Sequence, residues 1–195
     1  SPCSSRRCRW RRPPGRPAPI ATPITPALSA RHAADLVDLA GARVIVAAGP
    51  ELDPDGWETA RAVATTTGAT TILALRPTGA VGAAPALEPL VDIDVAYLGE
   101  RVARAPEDGM AITDRRWGDY ASYLHTGGTT GAPKLAARTH GNEIANAWQV
   151  ASTSSLDPSE SVFAALPLFH SNALVLTLLG PLLRSRDELG VRFET

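Results

Sequence analysis

SARHAADLVDLAGARVIVAAGPELDPDGWETARAVATTTGATTILAL, residues 29–75, is the stretch that decides the fold class. Ser29 is placed to cap the start of a helix, and Gly41 is placed to end it. The apolar residues between them recur on one helical face: Ala33, Leu36, Val37 and Ala40. The run at residues 42–47 is almost continuously apolar, which predicts a buried strand after this helix.

The same order repeats in the second half of the stretch. Asp53 precedes Pro54, a proline at the first helical position, and Trp57, Ala60 and Ala64 share one face of the helix that follows. Residues 70–75 form a second continuous apolar run, which predicts another buried strand. Helices that alternate with buried strands predict an α/β fold with a parallel sheet.

The segments on the C-terminal side of this stretch are less regular. Residues 76–109 are rich in Ala, Gly and Pro, and we expect a surface loop there. Asp114 and Asp119 precede a predicted strand at 121–125 and are expected to be solvated residues rather than metal ligands. The apolar run at 173–183 predicts a buried helix, since it is well short of the roughly 20 residues that span a membrane.

The segment that joins chemistry to this fold is HTGGTTGAPK, residues 125–134. Three glycines allow close backbone approach to a ligand, and threonine hydroxyls and one lysine add hydrogen-bond donors. This combination suits a polyphosphate such as that of ATP. A Walker A loop is excluded, because Lys134 follows Pro133 and precedes Leu135 instead of a serine or threonine.

Residues 126–134 resemble the signature loop of the adenylate-forming (AMP-binding) superfamily without departing from its pattern. The resemblance implies the incomplete N-terminal domain of such an enzyme. It also implies that hydroxyl or backbone groups of the loop, together with its lysine, bind ATP. These predicted cofactor-binding residues are Thr126, Gly127, Gly128, Thr129, Thr130, Gly131 and Lys134.

A second block, PLFHSN at residues 167–172, resembles the next conserved block of the family. It follows the loop at about the same distance in sequence as that block does. The resemblance implies that it lines the acyl-substrate pocket, with Phe169 as a wall or gate and Asn172 beside it. His170 would contact the carboxylate and the forming acyl-adenylate, and we assign it as the catalytic residue. From its sequence position alone, His170 would more often be a capping or buried structural histidine.

Two further segments are similar to the same family. Residues 135–148 resemble the strand, turn and helix that follow the loop in acyl-CoA synthetases, with Thr139 as the predicted N-cap. Ile144, Trp148 and Ala151 share one predicted helical face, so we expect Trp148 in the core. Residues 20–28 resemble a Pro-Ile-Asn-Pro-Leu loop of the family, with Thr25 in place of the asparagine.

The resemblance implies a reaction in two steps, with ATP, Mg²⁺ and coenzyme A as cofactors or co-substrates. A carboxylate, with a fatty acid favoured, attacks the α-phosphate of ATP and gives an acyl-adenylate and pyrophosphate. Coenzyme A thiolate then displaces AMP. The loop would act by positioning and by neutralising the charge of the leaving pyrophosphate. No residue of this chain is assigned as a metal ligand.

Other functions stay open at this point. The chain could be an adenylation enzyme that loads a carrier protein, or a non-catalytic truncated remnant. A separate phosphate-binding module is the weakest candidate, because a half-domain would expose a sheet edge and apolar helix faces. The adenine, ribose and Mg²⁺ motifs that the family carries after the second block are not found in the sequence, so we expect an inactive fragment.

The first 19 residues differ in composition from the rest of the chain. We predict that residues 20–195 form the partial AMP-binding domain. Residues 1–19 hold six arginines, five prolines, both cysteines and no acidic residue, and are predicted to be a disordered tail or an out-of-frame sequence artefact. Without those six arginines, the formal net charge of −1 becomes −7 for the rest. This negative charge offers no basic surface for nucleic acid. With only two cysteines we expect a cytoplasmic protein, and because the apolar run at 173–183 is too short to span a membrane, we expect no transmembrane segment.

Overall fold

The computed structural model describes residues 19–105, 116–126, 133–154 and 162–184. Its first part, the parallel-sheet region, comprises α1 (Ala30–Ala40), β1 (Val44–Ala48), α2 (Pro54–Thr66), β2 (Thr71–Leu75), β3 (Asp94–Tyr97) and α3 (Leu98–Ala103). The second part, the hairpin region, comprises β4 (Tyr120–His125), β5 (Leu135–Thr139), α4 (His140–Thr153), α5 (Ser171–Ala173), a π-helical segment (Leu174–Leu179) and α6 (Gly180–Arg184). The predicted tail lies outside these residues, apart from Pro19.

The helix ends of the parallel-sheet region are where the sequence predicts them. Ser29 caps α1 by accepting a hydrogen bond from the His32 amide, and Gly41 ends the helix in the left-handed conformation at φ 63°. Asp53 caps α2, because its Oδ1 accepts from the Gly56 amide at 2.9 Å. Both predicted helices are therefore confirmed.

The first sheet is parallel throughout, with the strand order β1-β2-β3. The prediction of an α/β fold with a parallel sheet is confirmed. The expectation of a plain surface loop at 76–109 is wrong at 94–103, where the chain forms β3 and α3. A four-residue strand shows no periodicity in the sequence, and β3 is defined by its pairing with β2, from Thr71 opposite Asp94 to Ala74 opposite Tyr97.

The apolar core lies on one face of this sheet. Its buried members come from α2, the loop before β2, β2 itself and the end of β3: Trp57, Ala64, Ala69, Ile72, Ala74 and Tyr97. On the opposite face, the side chains of β1 alternate outward, and Val44 and Val46 are half exposed. The sheet is thus covered on the α2 face and open on the other within the described residues.

The hairpin region is built differently, from the antiparallel pair β4 and β5. A register irregularity lies between Tyr120 and Ser122. Ala21 pairs with β4 on its other edge, since its amide donates to Ala121 and its carbonyl accepts from Tyr123 at 2.8 Å. The N-terminal segment that resembles the family's proline loop is therefore attached to the hairpin.

Thr139 is the N-cap of α4, as predicted, and Asn142 completes a capping box with it. The predicted buried face is wrong for Trp148 and Ile144, which are 65% and 44% exposed, and is confirmed for Ala151, which is buried. The buried stripe of α4 is instead Glu143, Ala147 and Ala151. The small alanines let the helix approach its neighbours closely, and the apolar pattern could not show that a glutamate would take the inner position.

The apolar run at 173–183 is helical, as predicted, but it contains the π-helical segment and is only partly buried. Ala173, Val175 and Gly180 face inward, whereas Leu176 and Leu183 are more than 40% exposed. None of the helices in the described ranges has the length and apolarity to cross a lipid bilayer.

Candidate functional site

The glycine- and threonine-rich segment connects β4 to β5 at the tip of the hairpin. The strands end at His125 and begin again at Leu135, and the Thr126 amide donates to the Lys134 carbonyl at 3.0 Å. This bond closes the base of the connection, and both residues are exposed. Gly127, Gly128, Thr129, Thr130 and Gly131 lie outside the described residues, so their role as phosphate ligands stays a prediction.

The second block lies directly against the hairpin tip. The ring of Phe169 stacks on that of His125, with centroids 6.3 Å apart and an interplanar angle of 27°. On its own side, Phe169 contacts the ring of His170 at 4.6 Å. Two motifs that are more than 30 residues apart in sequence are therefore joined by three aromatic rings.

His170 is exposed and forms the N-cap position of α5, but its side chain makes no capping hydrogen bond. A capping or buried structural histidine is therefore the wrong description of this residue. The backbone fixes its position, since its amide donates to Pro167 and its carbonyl accepts from Leu174, each at 3.0 Å. Its imidazole is free of a capping role and can face a ligand, whereas Asn172 is exposed within α5.

His125 was not among the predicted site residues. Its ring lies at the end of β4, and its Nε2 atom is buried with no hydrogen-bond partner among the described residues. The signal for it was present in the sequence, since it directly precedes the motif. Only the stacking on Phe169 shows that it joins the two motifs.

The hairpin also contains a buried polar cluster that the sequence did not reveal. The Ser122 hydroxyl donates to Glu143 Oε1 at 2.7 Å, and Arg138 Nε lies 3.0 Å from the same oxygen. Ser122 and Glu143 are less than one-tenth exposed. The cluster lies beneath α4, on the strand face opposite to His125.

A different cavity, of about 710 Å³, opens at the carboxyl ends of β2 and β3. Arg76 lies there and makes a two-pronged ion pair with Glu51, which raises the pKa of Arg76. Burial raises the pKa of Tyr97, whose hydroxyl donates to the Pro85 carbonyl. This cavity contains no residue of either motif, so we place the candidate site at the hairpin tip.

The donors at the hairpin tip fit a polyphosphate better than a metal ion. Thr126 offers a hydroxyl and Lys134 an ammonium group, and both are exposed at the closed base of the connection. Phosphate oxygens accept from such groups, whereas Mg²⁺ prefers carboxylate oxygens, which neither residue has. Asp119 accepts from the Arg116 amide in the turn before β4, and Asp114 lies outside the described residues.

The similarities to known proteins concern the family and the fold of the chain. Residues 19–186 match the family described as AMP-binding enzyme. The chain is 31% identical to marinolic acid–CoA ligase of Pseudoalteromonas sp. (strain SANK 73390) over 176 residues, which are 87% of this chain and 25% of that protein. It is 44% identical to sulfoacetate–CoA ligase of Cupriavidus necator over 62 residues, which are 32% of this chain and 12% of that one.

Among solved structures, ATP-bound MatB from Rhodopseudomonas palustris matches with a TM-score of 0.65 and 25% identity, over 85% of this chain and 29% of MatB. The McyG A-PCP structure with phenylalanyl-adenylate matches at a TM-score of 0.59 and 18% identity, over 87% of this chain and 23% of that one, and shows the fold alone. The matched part of the chain spans 25% of the length of marinolic acid–CoA ligase and 29% of the MatB chain.

The family match covers both motif blocks, the hairpin that joins them and the parallel sheet. The fold agrees with the N-terminal domain of the solved relatives. The chain therefore belongs to the family of AMP-binding, adenylate-forming enzymes, and corresponds to part of their N-terminal domain.

Proposed function

We propose that this chain carries the triphosphate-binding part of an ATP-dependent acid–CoA ligase. The observation that carries the proposal is the closed hairpin base, where the Thr126 amide binds the Lys134 carbonyl and both residues are exposed. The motif residues between them would supply further amide and hydroxyl donors to the phosphates. Mg²⁺ would come with the nucleotide, because the described residues at the tip offer no carboxylate for it.

The acid would lie on the aromatic side of the hairpin tip. The ring of His125 stacks on that of Phe169, and the ring of His170 lies tilted against Phe169. The exposed His170 imidazole can donate to a carboxylate or to an acyl-adenylate oxygen. Phe169 offers an apolar wall, which favours a fatty acid. The relatives are named for other acids too, including sulfoacetate and ferulate, so an aromatic acid is the competing substrate class.

Coenzyme A is the acceptor that we propose, because marinolic acid–CoA ligase, sulfoacetate–CoA ligase and feruloyl-CoA synthase, which are 31%, 44% and 39% identical to this chain over the matched residues, are named for CoA products. An adenylation enzyme that loads a carrier protein is the alternative, since the McyG A-PCP structure has the same fold. A cytoplasmic location, a disordered tail at residues 1–19 and a domain at 20–195 belong to the same proposal.

The proposal has a consequence for the 195-residue chain itself. Because it spans about a quarter of the length of its relatives, we expect it to form no thioester and to bind ATP weakly. Detectable carboxylate-dependent ATP–pyrophosphate exchange by this polypeptide would contradict its assignment as an inactive fragment, and so would thioester formation.

The direct test is binding of tripolyphosphate to the full 195-residue chain, measured by titration calorimetry. Lys134→Ala should weaken binding about tenfold, because a charge-assisted hydrogen bond to phosphate is worth about 1.5–3 kcal/mol. Arg104→Ala is the matched control, since this arginine is 73% exposed and is the C-cap residue of α3, outside the hairpin region. If both variants weakened tripolyphosphate binding equally, the effect would come from the loss of net charge, and the proposed site would be rejected.

A further inference from the structure

Three polar side chains from three elements meet beneath α4. Ser122 lies on β4, Arg138 on β5 and Glu143 in the first turn of α4. Glu143 Oε1 accepts a hydrogen bond from the Ser122 hydroxyl at 2.7 Å and forms an ion pair with Arg138, whose Nε lies 3.0 Å away. One carboxylate oxygen therefore links both strands of the hairpin to the helix that follows them.

The contacts of Glu143 join two residues that are paired across the β4–β5 hairpin. Ser122 and Arg138 are opposite each other in the β4–β5 register, immediately after the irregularity that lies between Tyr120 and Ser122. The hydrogen-bonded ladder is locally disrupted at such an irregularity, and a slip of the register by one residue would turn every side chain of the strand to the other face. Glu143 contacts both members of one cross-strand pair, through a hydrogen bond and an ion pair, and these contacts oppose such a slip.

The cluster also has a cost that apolar residues would avoid. Glu143 is 8% exposed, and a buried ion pair seldom adds stability over well-packed apolar side chains. Its Oε2 and Arg138 Nη2 are buried without a hydrogen-bond partner among the described residues. The best-attested use of such buried polar groups is to fix a register. The Glu143 carboxylate contacts both residues of one cross-strand pair, as this use requires.

The register reaches the hairpin tip. From the pair Ser122 and Arg138, the ladder runs to His125 opposite Leu135, and the next bond joins Thr126 to Lys134. We propose that Ser122, Arg138 and Glu143 are positioning residues that hold Thr126 and Lys134 opposite each other for phosphate binding. The ligand in this inference rests on the proposed function, whereas the register does not.

Amide hydrogen exchange of the full chain tests the register. Glu143→Gln leaves the buried Arg138 without its counter-charge, and we expect about tenfold faster exchange at the Thr126 amide relative to the Ile72 amide in β2. The double variant Glu143→Gln/Arg138→Gln should recover part of the protection, since no charge is then left unpaired. Equal acceleration at Thr126 and Ile72 would overturn the proposal, because it would show only a global loss of stability.

Two further variants keep the test decisive. Ser122→Ala removes one hydrogen bond and no charge, so it should fold even if Glu143→Gln does not, and should speed exchange at Thr126 about threefold. Glu58→Gln is the control for loss of a carboxylate, because its side chain is 73% exposed beside Arg61 in α2. Faster exchange at Thr126 in this control, or no change in Ser122→Ala, would overturn the role of the cluster.

The affinity of the variants for tripolyphosphate shows whether the cluster positions the phosphate-binding residues or only stabilises the fold. We expect Glu143→Gln to weaken binding about tenfold, and the double variant to regain part of the affinity, at temperatures where both are folded. Wild-type affinity in a variant with fast exchange at Thr126 would overturn the positioning role. Absence of binding by the wild-type chain would contradict the proposed function, and the exchange data would then decide the register alone.

Discussion

The parallel-sheet region and the hairpin region bury different kinds of side chain. In the parallel-sheet region, the core consists of apolar residues such as Trp57, Ile72 and Tyr97 around α2 and the strands. In the hairpin region, the space beneath α4 includes Ser122 and Glu143, which are paired with each other. One region is stabilised mainly by apolar burial, and the other also depends on oriented polar contacts.

The difference matches the placement of the motifs. Both motif blocks lie in the hairpin region, at the tip and beside it, while the parallel-sheet region carries neither. α1 contacts β5, so the two regions touch. Apolar burial is non-directional, whereas hydrogen bonds fix orientation, and the phosphate binding that we propose for the hairpin needs donors in a defined register.

The largest expected effect comes from a pair of tryptophan variants, one in each region. Trp57→Ala should lower the free energy of unfolding by about 3–5 kcal/mol, because this side chain is 4% exposed in the apolar core. Trp148→Ala, at 65% exposure, should cost less than about 1 kcal/mol. Urea unfolding followed by circular dichroism measures both, and similar losses would break the contrast between the regions.

A glycine pair tests how tightly the parallel sheet is packed. A Cβ at Gly49 would lie 2.7 Å from the Leu75 carbonyl oxygen, so Gly49→Ala should cost about 1–3 kcal/mol of unfolding free energy. Gly68→Ala, where a Cβ would meet nothing within 4 Å, is the control and should be near neutral. Thermal unfolding of the two variants measures both effects. A Gly49→Ala variant as stable as the wild type would refute the close approach of Gly49 to Leu75.

The stability of the parallel-sheet region should also depend on pH, through the buried Tyr97. Burial raises the pKa of Tyr97 above its ordinary value of 10.0, so its contribution to stability is complete below about pH 10 and is lost as the pH rises through the raised pKa. Tyr97→Phe should lose about 1 kcal/mol at neutral pH with the hydrogen bond to Pro85. Its unfolding free energy should then fall less steeply than that of the wild type above pH 10, and parallel curves would count against this.

The smallest effect is expected on the surface of α3. Arg104 lies 4.0 Å from Glu100, and the two side chains are 73% and 49% exposed. Arg104→Gln should change the unfolding free energy by less than about 0.5 kcal/mol, and added salt should remove even that. A larger loss in urea unfolding would mean that surface charge, and not burial, distinguishes the two regions.

Several local features could be predicted from the sequence because they depend on neighbours in the chain. Ser29, Asp53 and Thr139 cap the helices that follow them, and Gly41 ends α1. Capping depends on a residue and the next three or four amides, all within a short window. The glycine- and threonine-rich loop could be recognised for the same reason, although its central residues lie outside the described ranges.

Features that depend on distant pairing could not be predicted. β3 has four residues and is a strand because β2 offers it a partner, and the outward position of Trp148 depends on what packs beneath α4. His125 shows the same limit within the candidate site. Its place before the motif was visible, but its contact with Phe169 required the chain to return to the hairpin tip.

The sequence by itself determined the alternation of helices and strands, the helix ends and the motif that identifies the family, because each is encoded within a few consecutive residues. The tertiary structure alone decided which face of α4 is buried, that β3 completes the parallel sheet, and that Ser122, Arg138 and Glu143 meet. These contacts join residues from different elements, and their energies depend on distances that exist only once the chain is folded.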